Sequence, residues 1–292
     1  MKTDVYLEKN LKTPKLIAID LDGTLLNSEY EISSQDLKTL RKLNDIGIKI
    51  IPATGRRFSS AIPYVEKIPC DSLVILQNGA LIIDKNSRDI FFHSEIDKDV
   101  LESIVDFNKR FSLFPVYISS FRVGGRIFLM DNLKKYKILN KYLSKNVGDI
   151  EIFYESDKIK KIQVSQIMYF GRVSEMRKLF EKLTEGYFGY ISLALTEYKD
   201  RDLSILDVMR KDVSKGKALK MVRKFYNIEK ERVWAIGDNV NDIDMFRESF
   251  LSMAVANSSQ IVKKEASVVI PDNNCSGVSF GLKKFLRGGI LW

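Results

Sequence analysis

"KLIAIDLDGTLL", Lys15 to Leu26, decides the fold. Its first half is a short apolar run. Its second half sets Asp20 and Asp22 two residues apart, then Gly23 and Thr24. A brief, continuous apolar run is what a strand buried on both faces requires. Open parallel sheets gather ligands at the carboxyl ends of their strands. The stretch therefore predicts a parallel strand with chemistry at its end.

The same alternation spreads outward from it. "SSQDLKTLRKLNDIG" places Leu37, Leu40, Leu43 and Ile46 on one helical stripe, with Ser33 or Ser34 as cap and Gly47 as terminator. "IKIIPAT" is a strand, "RRFSSAIPYVEKI" a helix limited by Pro63, and "SLVILQNGALII" an extended segment turning at Asn78-Gly79. Towards the other end, "SKGKALKMVRKFYN", "NDIDMFRES" and "SSQIVKKEA" are helical. "RVWAIGD", "LSMAVAN" and "SVVI" are strands between them. This order predicts an α/β fold with a doubly wound, Rossmann-like parallel sheet.

The middle differs. "FPVYISSFRVGGRIFLM" predicts two strands around a Gly-Gly turn, and "KIKKIQVSQIMYF" and "GYISLALTEY" further strands. "KDVLESIVDFNKRF" and "SEMRKLFEKLTEGYF" are helices between them. Strand pairs mixed with helices predict an α+β sheet covered on one face. The expected organisation is a core from 1–84 and 205–292, with 85–204 inserted as a second domain. The length of 292 residues agrees with about two domains of ~150 residues.

Composition excludes several classes. No apolar run approaches the ~18 residues of a membrane span. The opening "MKTDVYLEKNLKTPK" lacks the apolar centre of a signal peptide, so a cytoplasmic protein is expected. Cys70 and Cys275 form no metal-like cluster and are expected as free, buried thiols. The net charge is +9, but the basic residues are interspersed with acidic ones, as in "KLFEKLTE". That favours a solvated basic surface or a small anionic substrate over nucleic acid.

Polar clusters fall at predicted strand ends: Asp20-Leu21-Asp22-Gly23-Thr24, Thr54-Gly55-Arg56, and Gly237-Asp238-Asn239-Val240-Asn241-Asp242. A doubly wound sheet brings them to one rim. Asp20, Asp22 and Asp238 supply hard oxygen ligands suited to Mg²⁺. A carboxylate can attack phosphorus, and a second one nearby can move protons. A threonine hydroxyl, a lysine and turn N–H groups can hold the transferring oxygens. Each cluster alone also reads as an ordinary turn, and "GDNVND" as an Asx turn with a cap at Asn241.

Together the motifs resemble the haloacid dehalogenase superfamily, specifically Cof-type hydrolases with a large α/β cap. "DLDGTLL", "PATGR", "VSKGKAL" and "GDNVNDIDMF" match that family's motifs in order and spacing. The resemblance implies a Mg²⁺-dependent phosphatase of small phosphorylated metabolites, sugar phosphates or related compounds, working through an aspartyl phosphate. It implies Asp20 as nucleophile, Asp22 as general acid/base with its backbone carbonyl on Mg²⁺, and Asp238 as a further metal ligand. Thr54 would bind the phosphoryl group. Lys215, directly before Gly216, would be the motif lysine in preference to Lys217. Asn241 would contact phosphate, and Asp242 would brace Lys215 or the metal shell. Leu21, Gly55, Arg56 and Asn78 are the remaining expected substrate or phosphate neighbours. The cap, 85–204, would select the substrate.

The chain departs from the family in two places. "AVANSS" stands where "AMGNA" is common, leaving Asn257 as a phosphate-site neighbour, and "DNNCSGV" replaces a more acidic segment. His93 is the single histidine and reads as an ordinary strand residue. Two alternatives to hydrolysis are a phosphotransferase or mutase using the same aspartyl phosphate, and a non-catalytic regulator that binds a phosphorylated ligand.

Overall fold

The structure, a computed structural model, describes residues 12–70, 72–130, 150–198 and 202–286. The chain divides into two compact units. The first comprises the described residues of Met1–Gly55, Ala61–Phe91 and Lys215–Trp292, and the second those of Arg56–Ser60 and Phe92–Ser214.

The first unit is built on a five-stranded parallel sheet. Its strands are β1 (Leu16–Ile19), β2 (Lys49–Pro52), β12 (Val233–Gly237), β13 (Leu251–Val255) and β14 (Val268–Ile270). Their spatial order is β14-β13-β12-β1-β2. Every residue of β1 and β12 is buried, which is why both segments are apolar throughout. From β1 the chain winds outward to β2. It then returns to β12, on the other side of β1, and winds away through β13 and β14. The winding therefore reverses between β1 and β12, the place where open α/β sheets leave a crevice for ligands. Asp20 directly follows β1, and Asp238 directly follows β12.

Helix α1 (Ser34–Asp45) begins at Ser33, whose side chain accepts the N–H of Asp36. Its buried face is Asp36, Thr39, Leu40 and Leu43, so of the expected Leu37, Leu40, Leu43 and Ile46 stripe only the middle two are buried. Ile46 is 49% exposed. Polar Asp36 and Thr39 are inside because they meet Ser279 of α8 (Gly277–Phe285). The Ser279 N–H donates to Asp36 Oδ1 at 2.7 Å, and the Ser279 and Thr39 hydroxyls are 2.7 Å apart. A buried polar group tied in this way avoids the desolvation cost of an orphan. Beyond β2, Ala53 bridges to Ile75 of β3 (Leu73–Leu76). β3 joins β4 (Leu81–Asp84) and β5 (Ile90–His93) in a small sheet. The Asn78-Gly79 turn is the tip of the β3–β4 hairpin.

The second unit carries a six-stranded sheet in the order β10-β11-β9-β6-β7-β8. These are β6 (Val116–Ser119), β7 (Ile127–Met130), β8 (Ile150–Phe153), β9 (Val164–Gly171), β10 (Ile191–Tyr198) and β11 (Leu203–Arg210). Pairing is antiparallel except between β7 and β8. Residues alternate between faces, as a strand period of two demands. Tyr117, Ile167, Tyr169, Leu206 and Val208 share a core with Leu101, Ile104, Met176 and Leu183 of two helices, Lys98–Arg110 and Val173–Tyr187. Val116, Ile118, Ile127, Leu129 and Met168 form a second buried cluster.

Three expectations need correction. "KIKKI" is not strand. A 3₁₀ turn spans Ser156–Lys161, and the strand begins only at Val164. Lysine-rich sequence gives a strand little to bury, and only Ile159 of the turn is buried. The expected boundary at 204/205 would cut through β11, whose eight residues all pair with β10, whereas the compact unit continues to Ser214. Cys275 is exposed, on a surface turn, and Cys70 alone is buried; both are free thiols. Among the described residues no helix is long and apolar enough to cross a membrane.

Candidate active site

At the carboxyl rim of β1, the Asp20 N–H donates to the Ile236 carbonyl at 3.0 Å. That bond extends the β1–β12 ladder by one residue and fixes where the Asp20 side chain leaves the sheet. The Asp20 carboxylate is 5% exposed. Its Oδ1 accepts the Lys215 ammonium at 2.5 Å, and its Oδ2 is buried without a hydrogen-bond partner. Lys215 also donates to Asp242 Oδ1 at 2.7 Å.

Lys215 is the first residue of helix α5 (Lys215–Phe225) and is 1% exposed. Gly216 is what lets it reach. A Cβ at Gly216 would lie 2.3 Å from the Asp244 carbonyl oxygen, so any side chain there would push α5 off the loop that holds Asp242. Lys217 points elsewhere and is exposed. The structure thus places Lys215 in the buried cluster and Lys217 on the surface.

Asp242 is fully buried and has both oxygens engaged. Its Oδ2 accepts the N–H groups of Asp238 and Asn239, each at 3.0 Å. The same bonds close a capping box on the turn Val240–Asp242, whose cap is Asn239 rather than Asn241. Asn241 is left to donate its Nδ2 to Asn78 Oδ1 at 2.9 Å.

Asn78 occupies a tight turn in which Gln77 and Asn78 both take left-handed backbone angles, φ 50° and 52°. Such angles are costly for non-glycine residues and collect at functional turns. The Asn78 N–H donates to the Thr54 carbonyl at 3.1 Å. A Cβ on Gly55 would sit 3.1 Å from the Asn78 amide, so Gly55 and Asn78 pack closely. The Ala53 N–H bonds the Ile19 carbonyl at 2.9 Å, which continues the β1–β2 register: Ala53 lies level with Asp20, and Thr54 follows one residue beyond.

The first unit brings together Asp20, Thr54, Gly55, Asn78, Lys215, Asp238, Asn241 and Asp242. Leu21 is wholly buried, and its carbonyl accepts the N–H groups of Thr24, Leu25 and Leu26. Asp22 is half-buried beside it. Arg56 groups with the second unit and donates to the Ser60 carbonyl at 3.2 Å. His93 Nε2 accepts the Phe121 N–H at 3.3 Å, and burial holds its pKa below the usual histidine value. Sequence reasoning left Thr24 off the list of site residues. Its hydroxyl donates to Asp238 Oδ1 at 3.0 Å, and its place in D-x-D-G-T was the available signal.

The cluster holds more acidic than basic side chains. Burial pushes Asp20 up to about 7, although Lys215 opposes the shift. Burial, then the Asp20 and Asp242 charges, push Asp238 well above the carboxylate range. Burial alone would depress Lys215, but Asp20 and Asp242 outweigh it and raise it. One ammonium thus faces the buried Asp20 and Asp242 carboxylates, with half-buried Asp238 beside them. Ligand oxygens of Asp20, Asp238 and Asp242 lie within 4.8 Å of one another. The orphaned Asp20 Oδ2, the surplus negative charge and an all-oxygen donor set fit a hard divalent cation. Asp20 and Asp238 have the capacity to ligate it. Asp242 Oδ1 holds Lys215, and its Oδ2 accepts two N–H groups.

The sequence profile of haloacid dehalogenase-like hydrolases matches residues 17–282. The chain belongs to that family. Among its relatives is phosphatase YwpJ of Bacillus subtilis, 28% identical over 93% of this chain and 100% of the relative. A phosphoglycolate phosphatase of Archaeoglobus fulgidus is 28% identical over 91% of this chain and 94% of its own. A solved haloacid dehalogenase-like hydrolase of B. subtilis superposes with a TM-score of 0.78 at 25% identity, covering 94% of this chain and 100% of that one. Phosphatase relatives over nearly the full length make this family member an enzyme of phosphatase type.

Proposed function

We propose that the chain is a Mg²⁺-dependent phosphatase that hydrolyses small phosphorylated metabolites through an aspartyl phosphate on Asp20. The observation that carries this reading is the buried Lys215 ammonium bonded to both Asp20 and Asp242, with Asp238 in the same cluster.

The Asp20 carboxylate attacks phosphorus, and the ester P–O bond breaks. Asp22, two residues on, gives a proton to the departing alkoxide. It then takes a proton from water as that water attacks the aspartyl phosphate, which releases phosphate and restores Asp20. Lys215 holds the Asp20 oxygen and offsets charge that gathers on the phosphoryl group. Thr54 and Asn241 bind phosphoryl oxygens, with Gly55 and Asn78 shaping their loops. Asp242 keeps Lys215 in place. Mg²⁺, held by Asp20, Asp238 and the Asp22 carbonyl, would neutralise phosphate charge during transfer.

The second unit serves as a cap that selects the substrate, since every expected site residue except Arg56 lies in the first. The phosphoglycolate phosphatase among the relatives shows one small phosphomonoester handled by this family, and sugar phosphates belong to the same chemical class. A screen of phosphorylated metabolites with Mg²⁺, reading released phosphate and kcat/KM, tests the proposal. Turnover of at least one small phosphomonoester, lost on chelation, is expected. Phosphate appearing only on an added acceptor alcohol would show a transferase instead.

A further inference from the structure

The turn that follows Asp22 is pressed against Asp238. Gly23 has φ +82°, and a Cβ there would lie 2.5 Å from Asp238 Oδ2. Thr24 reaches the other Asp238 oxygen. Small shifts of this turn would therefore move Asp22, Thr24 and Asp238 together. Within the turn, the N–H groups of Thr24, Leu25 and Leu26 converge on the Leu21 carbonyl at 3.3, 3.1 and 2.8 Å. The outward carbonyls of Gly23 and Leu26 are held from the far side of the sheet order.

Asn257, just past β13, donates its Nδ2 to the Gly23 carbonyl at 2.7 Å. Asn273, beyond β14 and 8% exposed, donates its Nδ2 to the Leu26 carbonyl at 2.7 Å. The two side chains are linked, because the Asn273 N–H donates to Asn257 Oδ1 at 3.3 Å. Both amides are fixed in orientation by this chemistry, since a backbone carbonyl accepts only from the NH₂ end. At Asn257 the same side chain must donate on one side and accept on the other, which an aspartate cannot do.

We propose that Asn257 and Asn273 are positioning residues that clamp the Gly23–Leu26 turn and thereby hold Asp22 and Thr24 against Asp238. Asn257 thus serves the backbone of the Asp22 turn and is not a phosphate contact. The catalytic consequence rests on the role given to Asp22 above, whereas the clamp itself does not.

The test compares wild type, Asn257→Asp, Asn257→Ser, Asn273→Ala and Asp22→Ala. Hydrogen exchange is followed by mass spectrometry on metal-free protein. The clamp predicts that peptides covering Thr24 to Leu26 exchange about tenfold faster in the asparagine variants, the scale set by losing one such hydrogen bond, while β12 peptides are unchanged. Turnover is compared for an alkyl phosphate and p-nitrophenyl phosphate. The asparagine variants should lose kcat on the alkyl phosphate more than on the activated ester, with KM little moved. Unchanged exchange at the turn overturns the clamp, as does faster exchange across the whole chain, which marks general loosening. Local loosening with equal losses on both esters overturns the positioning role. If Asp22→Ala itself shows no leaving-group preference, the assignment of Asp22 fails, and the exchange data still decide the clamp.

Discussion

Lys215 donates to Asp20 at 2.5 Å from a helix start that Gly216 alone allows to come so close. Its ammonium is the one buried cation in contact with the Asp20 carboxylate among the described residues. Lys215→Ala should lower kcat by about 10²-fold or more, as loss of a transition-state charge contact does. Lys217→Ala, on the exposed side of the same helix, should be mild. Steady-state kinetics on one substrate checks the pair, and equal losses would refute the assignment.

Asp22→Ala should separate substrates by leaving group. An alkoxide needs a proton as it departs, and nitrophenolate hardly does. The loss in kcat/KM should be much larger for an alkyl phosphate than for p-nitrophenyl phosphate, because kcat/KM excludes steps after the leaving group has gone. With the activated ester, phosphorylated protein should accumulate. Similar losses for both esters would instead make Asp22 a structural residue of the turn.

Metal binding should depend on pH with a sign set by Asp20. Burial raises its pKa from 3.8 to about 7 in the metal-free chain. A proton must leave before the carboxylate can ligate, so the cation competes with protons. The rise in melting temperature on adding Mg²⁺ should therefore grow as pH increases from about 5.5 through about 7, and the raised pKa of Asp238 acts in the same direction. A Mg²⁺ shift that shrinks over that range would remove Asp20 from the ligand set.

Asp36 offers a test remote from the site. Burial raises its pKa above 3.8 despite its bonds to Ser33 and Ser279. A carboxyl raised in the folded state binds its proton more tightly there than in the unfolded chain. Its contribution is fully present below the unfolded pKa and is lost as pH rises through the folded one. Asp36→Asn cannot ionise. The melting temperature of wild type relative to Asp36→Asn should thus decline as pH is raised upward from about 4. A difference that is flat in pH would show that the folded pKa is not raised.

Much of the candidate site was legible because its residues come in short motifs at strand ends and at one helix start. Asp20 and Asp238 each stand directly after an apolar strand, and a doubly wound sheet places such positions on one rim. Lys215 was legible through Gly216, whose missing side chain has a spatial reason that no other residue meets. The contacts that cross the sheet were not legible. Thr24 to Asp238 spans 214 positions, and Asn257 to Gly23 spans 234. Nothing in a threonine or an asparagine announces a partner that distant.

The fold was read best where apolar runs were pure. β1 and β12 are buried at every position, and their sequences carry no polar interruptions. β11 was missed because "LSILDVMR" carries Asp207 and Ser204, both buried. Asp207 accepts the Gln166 side chain at 2.9 Å, and Ser204 donates to the Thr196 carbonyl at 3.0 Å. Polar residues satisfied inside a sheet look like loop residues until their partners are seen. The Ser156–Lys161 turn erred the other way, since isolated isoleucines among lysines imitate strand alternation.

The central claim is that Asp20 carries the phosphoryl group. Rapid acid quench of wild type and Asp22→Ala during turnover of p-nitrophenyl phosphate, followed by peptide mapping, locates that group directly. The phosphoryl group should appear on the peptide containing Asp20, build up further in Asp22→Ala, and be absent from a folded Asp20→Asn protein that no longer turns over. Undiminished phosphate release by Asp20→Asn, or a phosphoryl group mapped to another residue, would contradict it.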